Sequence, residues 1–203
     1  FYIFDPETNT YTFNTEISNI FNYKNTIHTG YATYSLKSDI WGIRAGLRIT
    51  DSDQSIDQIH TNTSLNAHFL TLVPSFAISR QLAEGSLLKL NYSRRVQRPE
   101  ATWLNPYLDI SDPRNIQSGN PNLRPEFVHK AELGYSSYKD EGGWGPSLFM
   151  DYSNNAITRI RTVDEAGVSL TTYDNVGREF TYGLETDFSK KFSEAFKINA
   201  SAR

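Results

Sequence analysis

The sequence predicts an all-β protein, an antiparallel up-and-down meander of about eight strands. Three observations carry that reading. Apolar side chains recur at every second position through segment after segment, the period of a strand with one greasy face, while helical periodicity is almost absent. Polar clusters rich in Asn, Asp, Ser and Gly separate the segments, so each strand joins the next by a simple reversal. The connections also alternate in length, short near Ser38, Glu84, Gly142 and Glu194, long over Asp51–Ser64 and Pro99–Pro125, with Asp164–Gly167 the exception among the long set.

Taken in order, residues 1–25 are Asn- and Thr-rich and read as the end of a strand plus an exposed loop. Thr26–Leu36 is a strand with Ala32, Tyr34 and Leu36 on one face and Tyr31, Thr33 and Ser35 on the other. Lys37-Ser38-Asp39 turns the chain into Ile40–Ile49, where Ile43, Ala45, Leu47 and Ile49 oppose Arg44, Gly46 and Arg48. Asp51–Ser64 reads as a polar loop. Leu65–Ser79 returns with Leu70, Leu72, Pro74, Phe76 and Ile78 in one row, and Gln81–Gly85 turns it. Ser86–Tyr92 sets Leu88, Leu90 and Tyr92 against Lys89 and Asn91. Phe127–Tyr138 sets Ala131, Leu133 and Tyr135 against Lys130, Glu132 and Gly134. Asp140–Gly145 is a turn, Pro146–Arg161 a strand, Asp164–Gly167 a turn. Ser169–Ser189 is a long return strand with Tyr182, Leu184 and Phe188 against Gly183, Glu185 and Asp187, and Ser193–Ala195 turns into a last strand.

Between Ser86–Tyr92 and Phe127–Tyr138 lies a run, Arg94–Glu126, that holds five of the eight prolines, all between Pro99 and Pro125. Proline fixes φ, lacks a donor and pushes the preceding residue out of helix, so the run is neither a helix interior nor a central strand. It reads as one long stiffened loop without secondary structure of its own, ordered by its spaced prolines and by Trp103 and Tyr107. Such loops are uncommon in compact domains unless they have a function. Asn105-Pro106 and Asn120-Pro121 are turn signals that fold it back on the rim. Arg94, Arg95 and Arg98 suit an anionic ligand or a lipopolysaccharide phosphate by their bidentate geometry; the plainer expectation is that they pair with Glu100 and Glu126 or with neighbouring loop carboxylates.

Composition narrows the setting. The 203 residues carry a net charge of −3, which suggests no nucleic-acid partner, and no cysteine, which excludes a disulfide framework and a Cys-ligated metal site. Mean hydropathy is low, at −0.52, and no apolar run approaches a membrane-spanning helix. Neither fact separates a soluble sheet from a membrane barrel, which shows lipid only alternate residues. Several strands exceed the soluble norm of about 5–6 residues, and short turns at one end with long loops at the other is the layout of an outer-membrane barrel. A soluble sandwich with the same alternation stays open on pattern alone.

Catalytic chemistry finds no footing. Asp51, Asp53, Ser55 and Asp57 have the first spacings of a calcium loop, but Ile56 and Asn62 stand where that loop needs Gly and an acidic ligand. His28, His60, His68 and His129 have no metal-ligand spacing. No nucleophile elbow, phosphate-cradling loop or placed carboxylate pair occurs. Neither an enzyme activity, a cofactor nor a metal is expected.

The order of motifs adds a resemblance. Tyr92-Ser93-Arg94-Arg95-Val96-Gln97-Arg98-Pro99, Leu104-Asn105-Pro106-Tyr107, Gly119-Asn120-Pro121-Asn122-Leu123-Arg124-Pro125-Glu126 and Glu132-Leu133-Gly134-Tyr135 together resemble the barrel of TonB-dependent outer-membrane receptors. More narrowly they resemble the outer membrane protein beta-barrel family. Gly30–Ser35, Trp41-Gly42, Ala45–Arg48, Val73-Pro74-Ser75, Thr172–Gly177 and Tyr182–Glu185 fit the same template, so that the likeness runs from about Ser18 onward. The Gly-Asn-Pro-x-Leu-x-Pro-Glu element is the most specific part.

The resemblance implies part of a large transmembrane barrel, roughly 22 strands with a plugged lumen, that imports a scarce, bulky solute with energy from the TonB complex. No plug domain, TonB box or C-terminal aromatic residue is visible in residues 1–203, and a plug of the same parent chain is an expected partner, with outer-membrane lipid. Ligand contacts are expected from the extracellular loop 99–125 and its approach, at Arg95, Arg98, Trp103, Asn105, Tyr107 and Asn120. Lumen or plug contacts are expected at Arg44, Arg48, Asn91, Glu132 and Glu185. The greasy rows are expected to touch hydrocarbon. A passive porin-like or structural barrel, or a secreted glycan-binding β-sandwich, are the alternatives.

Overall fold

The computed structural model describes residues 2–13, 19–59, 63–139 and 141–203. His60, Asn62, Asp140 and the proposed start of the resemblance at Ser18 lie outside the described residues. Alternating sequence becomes long strands: β1 (Tyr2–Asp5), β2 (Thr10–Phe13), β3 (Phe21–Lys37), β4 (Trp41–Gln58), β5 (Thr63–Ala83) and β6 (Ser86–Gln97). A short helix α1 (Ala101–Leu104) and β7 (Asn115–Gln117) follow, then β8 (Glu126–Lys139), β9 (Gly142–Val163), β10 (Ser169–Ser193) and β11 (Phe196–Ala202). β1 and β2 make a separate hairpin. The rest is one sheet in the order β11-β10-β9-β8-β6-β5-β4-β3, an antiparallel meander, with β7 added parallel to β10.

Register turns the alternation into two unlike faces. Leu36, Ile43, Ile78, Leu90, Leu133, Leu148 and Leu184 are successive cross-strand partners from β3 to β10, an unbroken aliphatic row. The neighbouring row on that face is Tyr34, Ala45, Phe76, Tyr92, Ala131, Met150 and Tyr182. Because side chains alternate across a strand, the row between them points the other way: Ser35, Arg44, Ala77, Asn91, Glu132, Phe149 and Gly183. A one-residue slip would exchange the faces wholesale.

The apolar face is bare. Leu36, Leu70, Leu148 and Leu184 are each more than half exposed, and the only other sheet among the described residues is the two-stranded β1–β2 hairpin. That is incompatible with a sandwich, whose greasy rows meet in a dry interior. Aromatic belts bound the bare band. Toward the loop end, Tyr92, His129, Tyr152, Phe180 and Tyr182 form a chain of ring contacts at 5.5–6.4 Å. At the opposite end lie Tyr135 on Trp144, Phe192 on Phe196, and Arg80 over Trp41. From Trp41 to Ile49 the strand rises about 26 Å, close to the ~25 Å apolar band of an outer-membrane barrel.

Four expectations need correction. Asp51–Gln58, expected as loop, is strand: β4 and β5 stay paired, residue for residue, from Trp41↔Arg80 to Gln58↔Thr63. Polarity on both faces marks where this hairpin rises above the apolar band, and backbone pairing continues because nothing in those residues breaks it. Asp51, Asp53 and Asp57 therefore stand on a strand, with Asp51 bonded to His68, rather than in a solvated loop. Residues 1–25 hold the β1–β2 hairpin and the start of β3, which begins at Phe21 instead of Thr26. The Pro-rich connection is shorter than Arg94–Glu126, since β6 runs to Gln97, and it does contain structure of its own, α1 and β7.

Among the described residues, the few fully buried side chains lie on the polar face, at the loop end. Ile56, Leu104 and Leu123 form the buried cluster, with Phe21, Tyr23, Leu65, Trp103, Ile157 and Tyr173 packed around it. Thr50, Ser52, Gln54 and Gln58 are buried there too. So the connection after β6 folds inward, over the polar face, between the tall β3–β5 strands and the tall β9–β10 hairpin.

Candidate functional site: an inward-folded loop on a charged wall

Each element of the Gly-Asn-Pro-x-Leu-x-Pro-Glu motif has a contact that explains it. Gly119 is where the loop crosses its own beginning: its N–H donates to Asn105 O at 2.8 Å, and the N–H of Asn120 donates to Trp103 O at 2.6 Å. A Cβ at Gly119 would lie 2.5 Å from both carbonyl oxygens, so no other residue fits. Asn120 caps its own turn by accepting from the Asn122 N–H, and its Nδ2 donates to Tyr173 O at 3.0 Å. Leu123 is 2 % exposed in the buried cluster, and Pro125 is buried. Glu126, 6 % exposed, accepts from Ser153 Oγ at 2.6 Å and from the Ile157 N–H at 3.2 Å.

Residues far along the chain hold the clip from the other side. Tyr173 stacks on Trp103, ring centroids 5.1 Å apart. Asn175 accepts from the Arg124 N–H at 2.8 Å and donates back to Arg124 O at 3.0 Å. It is aimed there by an irregularity in the β9–β10 pairing, where Asn155 takes φ 55° and Asn175 Nδ2 also donates to Asn155 O. Local bending of this kind is what β-bulges do near functional sites. Further out, β7 pairs parallel with Ser169–Thr171, and Arg161 Nη2 donates to Asn115 Oδ1 at 2.9 Å. Asp112 anchors the turn before β7: the Asn115 amide, then the Arg114 N–H, donate to its carboxylate and hold it below the usual carboxylate range.

The expected ligand residues separate by environment. Asn105 and Asn120 spend their side chains on the loop's own turns, and Asn105 Oδ1 accepts from the Tyr107 N–H at 3.1 Å. Trp103 is half-buried against Tyr173. Arg95 is exposed on the inward face of β6, and Arg98 is half-buried near Tyr23. The expected pairing of the arginines with Glu100 and Glu126 does not occur: none of Arg94, Arg95 and Arg98 makes an ion pair among the described residues. Arg94 falls on the apolar face instead, its guanidinium 3.8 Å above the Phe127 ring and donating to Leu72 O, because residue parity on β6 points it outward. Glu126 is already satisfied by neutral donors.

Below the loop, Arg44, Asn91 and Glu132 lie in one inward row, with Arg48 above and Glu185 in the next row down. A groove of about 510 Å³ runs under the loop, bordered by Arg95, Gln97, Lys130, Asp151 and Glu179. Lys130 pairs with Asp151 inside it. Sequence reasoning missed Tyr173, Asn175, Ser153 and Ile157, which are joined to the loop only by folding. The sole hint was Thr172–Gly177 appearing in the same template as the loop.

A single sheet with a lipid-width apolar band on one side, a polar charged wall on the other and an inward loop at one rim is the wall of an outer-membrane β-barrel. The chain belongs to the outer membrane protein beta-barrel family, whose match spans residues 1–203. It is accordingly a protein of the outer membrane, a barrel and not an enzyme. Comparison with curated proteins finds no match by sequence. Solved structures share the fold. The siderophore receptor PirA from Pseudomonas aeruginosa is 16% identical, with TM-score 0.63, over 90% of this chain and 42% of that one. A double mutant of the Serratia marcescens hemophore receptor HasR, in complex with HasA and heme, is 15% identical with TM-score 0.71, over 87% and 33%. The copper transporter OprC is 15% identical with TM-score 0.68, over 98% and 31%. The chain thus spans between about a third and two fifths of these proteins' length.

Proposed function

We propose that this chain is a wall segment of an outer-membrane receptor that captures a bulky solute at the loop rim and imports it with energy from the TonB system. The observation that carries the reading is the loop clipped onto the polar face by Leu104, Leu123 and Glu126: it narrows the lumen at one mouth with a fixed surface. On this reading Asn105 and Asn120 shape that surface. Arg95, Arg98 and Tyr107, with the exposed Leu108 and Ile110, meet the solute. A plug domain of the same parent chain closes the lumen against Arg44, Arg48, Asn91, Glu132 and Glu185. The siderophore and hemophore receptors that share the fold support a scarce, bulky solute as cargo.

The test uses the full-length parent in its own outer membrane. Cells lacking it should lose growth on one limiting solute among iron–siderophore complexes, heme, copper and oligosaccharides. Deleting TonB should reproduce that loss. Uptake that persists without TonB would instead mark a passive barrel.

A further inference from the structure

Strand pairing along the wall ends at unequal heights. β4 and β5 stay paired up to Gln58↔Thr63, and β6 and β8 up to Gln97↔Glu126, yet the ladder between β5 and β6 stops at Ser75↔Ser93. The rung that fails is Pro74 opposite Arg94. The Gln81 N–H donates to Ile40 O, so odd-numbered residues of β5 turn their backbone toward β4 and even-numbered ones toward β6. Pro74 is one of the even set and has no N–H to give. Above it Ser64, Asn66, His68, Leu70 and Leu72 turn both backbone groups into a notch in the rim, left where β6 ends and the Pro-rich connection folds inward. Among the described residues a single hydrogen bond reaches this edge, from Arg94 Nη1 to Leu72 O at 3.2 Å. The far side of the notch is closed differently: β9 leaves β8 above Asn154, and there Glu126 accepts from the Ile157 N–H.

A row of unpaired N–H and C=O groups is a template for another strand, and edges left bare are usually blunted by lysine, proline or a bulge. From Ser64 to Leu70 the strand has neither lysine nor proline, and its register with β4 is unbroken. That stretch runs about 20 Å at ~3.3 Å per residue. Neighbouring side chains select what pairs with it. Asp53 and Asp57 on the outward face of β4 make no ion pair among the described residues, and Asp57 stands opposite Ser64, which is too short to cover it. Ala67 and Phe69, half-buried, line the inward side. Room is limited as well: β5 and β9 are three strand spacings apart, about 14 Å at ~4.8 Å each, enough for one or two strands and not for a second barrel.

We infer that the edge Ser64–Leu70 receives an extended segment of a partner polypeptide as an added strand at the loop end of the barrel. Main-chain hydrogen bonds hold such a strand, and alternate side chains choose it. Lys or Arg at its outward positions meets Asp53 and Asp57; small or apolar residues at its inward positions lie beside Ala67 and Phe69. The inference goes beyond the transport reading and holds for a passive barrel equally.

The probe is a fluorescein-labelled heptapeptide of alternating Lys and Val, titrated onto the full-length parent in vesicles of zwitterionic lipid, with folding checked by heat-modifiable electrophoretic mobility. Saturable binding is expected. N66P/H68P removes two edge donors at positions whose backbone faces away from β4, as that of Pro74 does, and should weaken binding about tenfold through two lost hydrogen bonds. D53N/D57N should weaken it roughly threefold. If the proline variant does not fold, the same peptide N-methylated on its lysines carries the test on the wild type and should bind about tenfold more weakly. No saturable binding, or binding that neither the prolines nor the N-methyl groups weaken, would overturn the inference. So would amides of Asn66 and His68 that exchange as slowly as those of Ala67 and Phe69 in the peptide-free parent, because another segment of the parent or a second copy then already covers the edge.

Discussion

Trp103 lies flat on Tyr173, their ring centroids 5.1 Å apart and their planes 16° from parallel. The two residues belong to elements separated by most of the loop and two strands, so their contact measures whether the loop is seated. The Tyr173 carbonyl takes a second hold by accepting from Asn120 Nδ2. A stacked pair contributes about 0.5–1.5 kcal/mol beyond the area it buries. Tyr173→Ala should therefore speed amide exchange across Ala101–Leu104 by roughly tenfold, a change of ~1.4 kcal/mol in local opening. Tyr173→Phe should keep the wild-type rate, because the hydrogen bond uses the backbone.

Leu104 has no exposed surface and Leu123 has 2 %. Truncating a buried leucine costs about 2–5 kcal/mol. Here that cost falls on one loop rather than on the sheet, whose ladders stay intact. Leu104→Ala should open the segment from Glu100 to Arg124 to protease in the reconstituted parent protein while leaving heat-modifiable barrel migration unchanged.

Parity on β3 and β4 predicts opposite outcomes for the same new charge. Leu47→Arg places a guanidinium on the apolar face, where it should cost about 2–4 kcal/mol near the bilayer midplane. Thr33→Arg, one strand away, projects inward beside Gly46 and should cost far less. Urea unfolding in lipid vesicles separates the two.

Asp112 gives the loop a pH limit. Its folded-state pKa is lowered by the Asn115 amide and the Arg114 N–H, so ionisation stabilises the turn above the unfolded value. That contribution is lost as pH falls through the depressed folded value. Trp103 fluorescence should hold steady from neutral pH down to about 4, the ordinary carboxylate range, and change only below it. Asp112→Asn should abolish most of that acid transition.

Much of this architecture was legible because strand periodicity reports faces directly. The rows through Ile43, Leu90, Leu133 and Leu184 were visible as alternation, and cross-strand register only assembled them. Strand ends were less legible. Asp51 to Gln58 reads as loop because both faces are polar, yet backbone pairing with β3 and β5 persists wherever no residue forbids it. The loop's ordering was legible in its prolines, but not its destination. Leu104 and Leu123 say that something will be buried; that it would be beside Ile56, Ile157 and Tyr173 depends on how far β4 and β10 rise. The expected pairing with Glu126 fails for Arg94 because strand parity sends it to the opposite face from that carboxylate.

Residues 1–203 contain no cysteine, so a single cysteine placed among them is labelled alone once any cysteine elsewhere in the parent is replaced by serine. The most direct test of the two-faced wall puts an environment-sensitive fluorophore at Leu47, Leu133 or Leu184, and in parallel at Arg48, Glu132 or Glu185, in the full-length parent reconstituted into vesicles of brominated lipid. Quenching of the first set with none in the second is the result expected. Quenching of the charged set, or of neither, would contradict the assignment of the apolar rows to the bilayer.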